Sequence, residues 1–111
     1  MEREIFLCKE SEIQEGKSRK FEADGRDILV FRLKGSIAAI ESICSHAHSD
    51  LASGRLNMRA GTIKCPNHGA VFDLRTGEAL CGPYGVDGAI LPNLTFFNVI
   101  RRDGDVILVR E

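Results

Sequence analysis

Residues 44–48 and 65–68 read CSHAH and CPNH, and 18 residues separate His46 from Cys65. Taken singly, each cysteine has an ordinary reading as a small buried residue, and each histidine as a surface or hydrogen-bonding group. Taken together, Cys44, His46, Cys65 and His68 form a closed set of four donors, and chance placement of both pairs is improbable. Thiolates and neutral imidazoles are soft or borderline ligands, suited to zinc or to iron–sulfur centres. Two loops that each give one Cys and one His can close around one site. At 111 residues such a centre also helps to hold the chain together, because a domain this small buries only a modest core.

The pairing itself separates the metals. A structural zinc site usually groups like ligands in each half, two cysteines and then two histidines. Here each half is mixed, C-x-H and C-x₂-H. A mixed arrangement supplies two cysteines to one metal and two histidines to another, provided each loop serves both.

The frame around these loops reads as antiparallel β. Ile5–Cys8 is a short apolar run before the polar stretch SEIQEGKSRK. The turn ADGRD leads to ILVFRL, then KGS and IAAIES, which predicts a hairpin; LTFFNVIRR, DGD and VILVRE repeat the pattern at the end. No segment carries a helical stripe longer than a turn or two. Two loop-rich excursions interrupt the frame, roughly 44–56 and 65–80, joined by a turn and short strand at RAGTIK.

A 43% hydrophobic fraction argues for a globular chain of one domain. The net charge of -1, without a basic stripe or tail, argues against a nucleic-acid partner. No apolar run resembles a signal peptide or approaches a membrane span of about 20 residues. The expectation is a soluble cytoplasmic protein, in which the four cysteines are not structural disulfides.

The pattern of Cys44, His46, Cys65 and His68, with DLASGRL after the first pair, CPNHGAVFDLRTGEAL across the second and GPYGVDGAILPNL beyond, resembles a Rieske [2Fe–2S] domain. Within that family it is most similar to the small ferredoxins of bacterial ring-hydroxylating oxygenase systems. The resemblance covers nearly the whole chain. It implies an all-β Rieske-type fold, a small antiparallel sandwich or barrel with a loop-rich cluster-binding subdomain. One domain would span 1–111, with cluster-binding loops at about 44–56 and 65–83. It implies one [2Fe–2S] cluster per chain, with Cys44 and Cys65 on the buried iron and His46 and His68 on the outer one. The respiratory Rieske proteins add a disulfide across the cluster; Ser49 and Asn67 stand at those positions here. Ala70 and Phe72 stand where that type places Ser and Tyr hydroxyls. Loss of hydrogen bonds to sulfur lowers the potential, toward about -150 mV at the low end of the Rieske range.

The function implied is one-electron transfer, from a flavin-dependent ferredoxin reductase using NADH to a terminal Rieske non-haem iron oxygenase acting on aromatic compounds. No acid–base constellation, G-x-G-x-x-G or mononuclear iron motif points to catalysis by this chain. The closing hairpin at NVIRRDGDVILVRE favours a self-contained carrier over an excised oxygenase domain. Three alternatives stand: the small Rieske-like subunit of an assimilatory nitrite reductase, the ferredoxin of a diiron monooxygenase, and a structural zinc domain. Docking is expected at the tip bearing His46, His68 and Pro83, a small apolar patch with an acidic or mixed rim. Gly69 is expected to let backbone approach the cluster, and Gly54 and Gly77 to sit in turns. Gly82–Pro83 opens a loop that shields the cluster in the family. His48 reads as an exposed neighbour of the ligands, and Cys8 and Cys81 as core thiols in or near strands.

Overall fold

The computed structural model describes residues 2–43, 50–66, 69–81 and 93–111. Eleven strands lie among them, all paired antiparallel: β1 (Arg3–Lys9), β2 (Ser18–Ala23), β3 (Arg26–Leu33), β4 (Ser36–Glu41), β5 (Arg55–Asn57), β6 (Thr62–Lys64), β7 (Val71–Asp73), β8 (Ala79–Cys81), β9 (Phe96–Phe97), β10 (Val99–Arg102) and β11 (Asp105–Arg110). They form three sheets, ordered β1-β11-β10, β2-β3-β4-β9 and β5-β6-β7-β8. The all-β antiparallel expectation holds, and both predicted hairpins are present as β3–β4 and β10–β11.

The sequence ILVFRL is apolar without alternation because β3 is buried on both faces, from Ile28 to Phe31. Successive side chains point to opposite sides of a strand. Ile28 and Val30 therefore join one core, with Cys8, Ile13, Val106 and Leu108 of the β1-β11-β10 side. Leu29 and Phe31 join a second core, with Leu51, Ile63, Cys65, Ala70 and Phe72 of the β5–β8 side. Strand β4 repeats the division, Ala39 facing the first core and Ile40 the second. The sheet containing β3 is thus the middle layer, and the second sheet's excursions hang from one of its faces.

Three two-residue turns, Asp24–Gly25, Lys34–Gly35 and Asp103–Gly104, have both residues at positive φ, the geometry that matches hairpin twist. Lys34 is the least suited to that conformation. Glu15 supports it: its carboxylate accepts the Lys34 N–H at 2.5 Å and the Gly35 N–H at 2.7 Å. The acidic residues of the first segment are otherwise matched by the basic residues near the end. Glu4 takes both guanidinium nitrogens of Arg102 at 2.8 and 3.0 Å, and Glu10 pairs with Arg101 at 3.0 Å. These pairs are exposed and contribute little to stability.

The polar stretch after β1 holds more structure than its composition suggests. A 3₁₀ turn covers Glu10–Glu12, and β2 begins at Ser18 as an edge strand. The excursion 65–80 likewise contains β7 and most of β8, so part of what reads as loop is a short-stranded sheet.

Candidate functional site

Of the expected ligands, Cys65 lies among the described residues; Cys44, His46 and His68 lie outside them, as do His48, Ser49, Asn67 and the Gly82–Pro83 pair. The structure does describe where the segments carrying these residues leave and rejoin the frame.

Residues 44–49 are flanked by Ile43 and Asp50, which form an isolated antiparallel bridge. The Leu51 N–H donates to the Ser42 carbonyl at 2.6 Å, so the chain departs and returns at one place. Asp50 fixes that place. Its Oδ1 accepts from Ser42 Oγ at 2.5 Å and from the Ala52 N–H at 2.9 Å, and its Oδ2 accepts from Lys20 Nζ at 2.6 Å. The Ala52 bond caps the 3₁₀ turn Leu51–Ser53. Ser42 is completely buried, so its hydroxyl needs this partner. Burial alone would raise the Asp50 carboxyl, but the hydrogen bonds from Lys20, Ser42 and the Ala52 amide outweigh it and hold the group below the usual carboxylate range.

The second segment leaves from the β6–β7 hairpin. The Cys65 N–H donates to the Ala70 carbonyl at 2.7 Å, and the Gly69 N–H donates to the Cys65 carbonyl at 3.2 Å. These two bonds close the chain at the end of that hairpin, on either side of residues 67–68, with Cys65 1% exposed. Gly69 has φ +76°, a left-handed conformation that favours glycine. A Cβ at Gly69 would meet only the Lys64 Cε, at an ordinary 3.5 Å, so among the described residues the demand for glycine comes from the backbone conformation. Gly77 is also left-handed, at φ +82°, as a turn glycine should be. Gly54 also sits at a turn, its N–H closing the Leu51–Ser53 turn on the Leu51 carbonyl at 2.9 Å. Its φ is an ordinary -79°, and its requirement is tertiary: a Cβ would fall on the Lys64 carbonyl oxygen and lie 3.0 Å from that of Leu51.

The third segment, 82–92, begins after Cys81 at the end of β8 and ends before Leu94, whose N–H donates to the Gly77 carbonyl at 2.8 Å. Leu51, Cys65, Ala70 and Leu94 belong to the same buried cluster. The bases of all three segments thus converge on one core. A buried thiol held there, in the same core as the bases of all three segments, fits a thiolate ligand of a buried metal. Ala70 and Phe72 are fully buried beside it and carry no side-chain donor, as their sequence implies.

Cys8 does not belong to this site. It sits in β1 at 1% exposure within the other core, and burial, with Glu12 nearby, pushes its thiol up to about 11. It is the core thiol expected. Cys81 is partly buried at the end of β8. The sequence reading missed Asp50 and Ser42. Asp50 before LAS is a legible N-cap signal, but nothing local marks its Ser42 and Lys20 partners.

The Rieske [2Fe-2S] domain family matches residues 3–94. The chain belongs to the Rieske [2Fe–2S] family. The 3-phenylpropionate/cinnamic acid dioxygenase ferredoxin subunit of Photorhabdus laumondii subsp. laumondii is 36% identical over 105 residues, covering 95% of this chain and 92% of that protein. A chain in the complex of reduced oxygenase and oxidised ferredoxin in carbazole 1,9a-dioxygenase superposes with a TM-score of 0.79 at 26% identity, covering 95% of this chain and 91% of that one. The Sphingomonas yanoikuyae B1 ferredoxin shares the fold, with a TM-score of 0.81 at 21% identity and coverage of 98% and 100%.

This Rieske protein is a ferredoxin of the ring-hydroxylating dioxygenase type, an electron carrier and not itself a catalyst. It carries one Rieske-type [2Fe–2S] cluster per chain. No helix among the described residues is long and apolar enough to cross a membrane.

Proposed function

We propose that this Rieske ferredoxin takes single electrons from an NADH-oxidising flavin reductase and delivers them to a terminal Rieske non-haem iron oxygenase that hydroxylates an aromatic compound, in the cytoplasm. Cys44 and Cys65 serve as the thiolate ligands, and His46 and His68 as the imidazole ligands, within one domain spanning 1–111. When bound, a Rieske cluster supplies reversible one-electron chemistry at a potential raised by its two histidines. A hydride from NADH carries two electrons. Each NADH oxidised therefore yields NAD⁺, one proton and two carriers reduced by one electron each.

The observation that supports this assignment most is the convergence of the three segment bases on the core that contains Cys65. Residues 44–49, 67–68 and 82–92 are the ones that carry the other three ligands and Pro83. The same convergence supports docking of both partners near His46, His68 and Pro83. The relative named for 3-phenylpropionate and cinnamic acid makes an arylalkanoate dioxygenase the first acceptor to test.

Low-temperature electron paramagnetic resonance tests the ligand set. The oxidised protein should be silent, and the dithionite-reduced protein should give an anisotropic S = 1/2 signal with an average g below that of all-cysteine ferredoxins. Single serine or alanine replacements of Cys44, His46, Cys65 or His68 should abolish it, whereas Cys8→Ala and Cys81→Ala should keep it. A zinc-loaded protein silent in both states would refute the assignment.

A further inference from the structure

The clamp on the segment 44–49 carries more charge than its shape requires. Asp50 accepts from Ser42 Oγ and from the Ala52 N–H, and these two bonds already fix its carboxylate. Lys20 nevertheless reaches the second oxygen at 2.6 Å, from β2, 30 positions away. Both side chains are partly exposed, so the pair contributes little to stability. Asp27 and Glu22 stand at longer range around the same ammonium group. The Asp50 carboxyl is held below the usual carboxylate range, so it is ionised near neutrality.

Both charges lie beside the site. Asp50 bridges Ile43, the residue before Cys44. A Cβ at Gly54 would fall on the Lys64 carbonyl oxygen and lie 3.0 Å from that of Leu51, so these two carbonyls are neighbours. Leu51 follows Asp50, and Lys64 precedes Cys65. Lys20 stands opposite Leu29 in the β2–β3 ladder, and side chains directly opposite share a face. Leu29 packs in the core that contains Cys65, whereas Phe21 and Ala23, on the other face of β2, pack in the first core. Lys20 is therefore on the face of the middle sheet that carries the site.

Reduction adds one negative charge to the centre that accepts the electron, and a fixed charge nearby changes the free energy of that step. We propose that the Lys20–Asp50 pair sets the reduction potential of the cluster, Asp50 opposing the incoming electron and Lys20 offsetting Asp50. The inference rests on the ligand assignment above and adds two residues that are not ligands and act through charge alone. A carrier must accept an electron from one partner and yield it to the other. A lower potential favours delivery and a higher one favours loading, so this pair adjusts the balance without touching the ligands.

The test uses the cluster-loaded protein as wild type, Lys20→Gln, Asp50→Asn, the double variant and Lys20→Arg, with potentials read by voltammetry. Asparagine keeps an acceptor oxygen for Ser42 and Ala52, so Asp50→Asn removes the charge and leaves the clamp. At a fixed applied potential, Lys20→Gln should lower the ratio of reduced to oxidised protein about threefold, and Asp50→Asn should raise it about threefold. Each change corresponds to about 30 mV, at about 59 mV per tenfold for one electron. The double variant should fall between the two, and Lys20→Arg should match the wild type. The separation should shrink from about 20 to about 500 mM salt, as the pair is partly exposed.

Both single variants break the Lys20–Asp50 bond. A pair that acted only by holding the segment would move both potentials in the same direction, and that result would overturn the proposal. Unchanged potentials in both would overturn it too. Where Asp50→Asn fails to keep its cluster, Lys20→Gln against Lys20→Arg decides, and equal potentials in those two refute it. A wild type without a reversible one-electron wave would instead overturn the carrier reading on which the inference rests.

Discussion

Replacing Asp50 by alanine removes one carboxylate on which three groups depend, and the structure sets the size of the effect. The bond from the Ala52 N–H is an N-cap, worth about 1 kcal/mol. Ser42 is fully buried, and its hydroxyl, left without Asp50, costs about 1–2 kcal/mol. Lys20 adds little, because its side chain is 38% exposed and that of Asp50 34%; solvent screening leaves about 0.5 kcal/mol for this pair. The sum is about 3 kcal/mol. A domain of this size loses about 4–8 °C in melting temperature per kcal/mol, so Asp50→Ala should melt about 12–24 °C below the wild type. The sign of the pH dependence follows from the lowered carboxyl. A group depressed in the folded state stabilises above its unfolded value and loses that contribution as pH falls through the folded one. The gap between wild type and variant should therefore hold steady near neutrality and narrow below about pH 4. Far-ultraviolet circular dichroism gives the melt, and visible absorbance followed in the same sample gives cluster loss. Because Asp50 closes the segment 44–49, bleaching should also come at a lower temperature in the variant. A drop under about 3 °C, or a gap that widens on acidification, would refute the account of Asp50 as the clamp of that segment.

Gly54→Ala should destabilise by about 1–3 kcal/mol, since its Cβ meets two backbone carbonyls that cannot swing away. Gly61→Ala has open space around it and bears only left-handed strain at φ +69°, about 1–2 kcal/mol; denaturant titration that ranked Gly61→Ala well above Gly54→Ala in cost would show that the close approach is relieved by a backbone shift. Ala70→Ser, alone and with Phe72→Tyr, should raise the reduction potential from a starting value of about -150 mV, because a donor to sulfur favours the more negative reduced state. Voltammetry on variants with intact visible spectra decides it, and a lowered potential would sink the argument from missing donors.

The parts of the fold that were legible in the sequence are those decided by neighbours in the chain. β3–β4 and β10–β11 carry apolar runs on both sides of a two-residue turn, and Asp103–Gly104 is a strong local signal for one. Strand β2 was missed because SRKFEA is charged at an edge, with Phe21 and Ala23 its apolar contacts to the core. Strands β5 to β8 have three residues each, too few for a period to declare itself, and of these only β6 was expected, as the short strand of RAGTIK. At the site, residue type and spacing propose the donor set, of which Cys65 lies among the described residues. The contacts that close the segments around it were not legible: Lys20 reaches Asp50 from 30 positions away, and Gly54 meets Lys64 across a ladder. Gly54 reads as a turn residue for the ordinary reason that glycines often are, and only the fold reveals the carbonyl it must clear.

The two cores explain why the division falls where it does. One face of β3 and β4 packs on the β1-β11-β10 sheet, whose ladders run six and four residue pairs and form from hairpins or chain ends. The other face supports four strands of three residues, which are too short to be stable as an isolated sheet. Their order depends on Leu29, Phe31 and Ile40 beneath them and on the closures at Ile43–Asp50, Cys65–Ala70 and Gly77–Leu94. A metal held by ligands from two of the segments so closed adds cross-links to this half, where local structure is weakest. In that arrangement the frame can fold from its own hairpins, whereas the site-bearing sheet is completed by tertiary contacts and by the cofactor. The residues that matter there are consequently recognisable by their chemistry before their structural partners are.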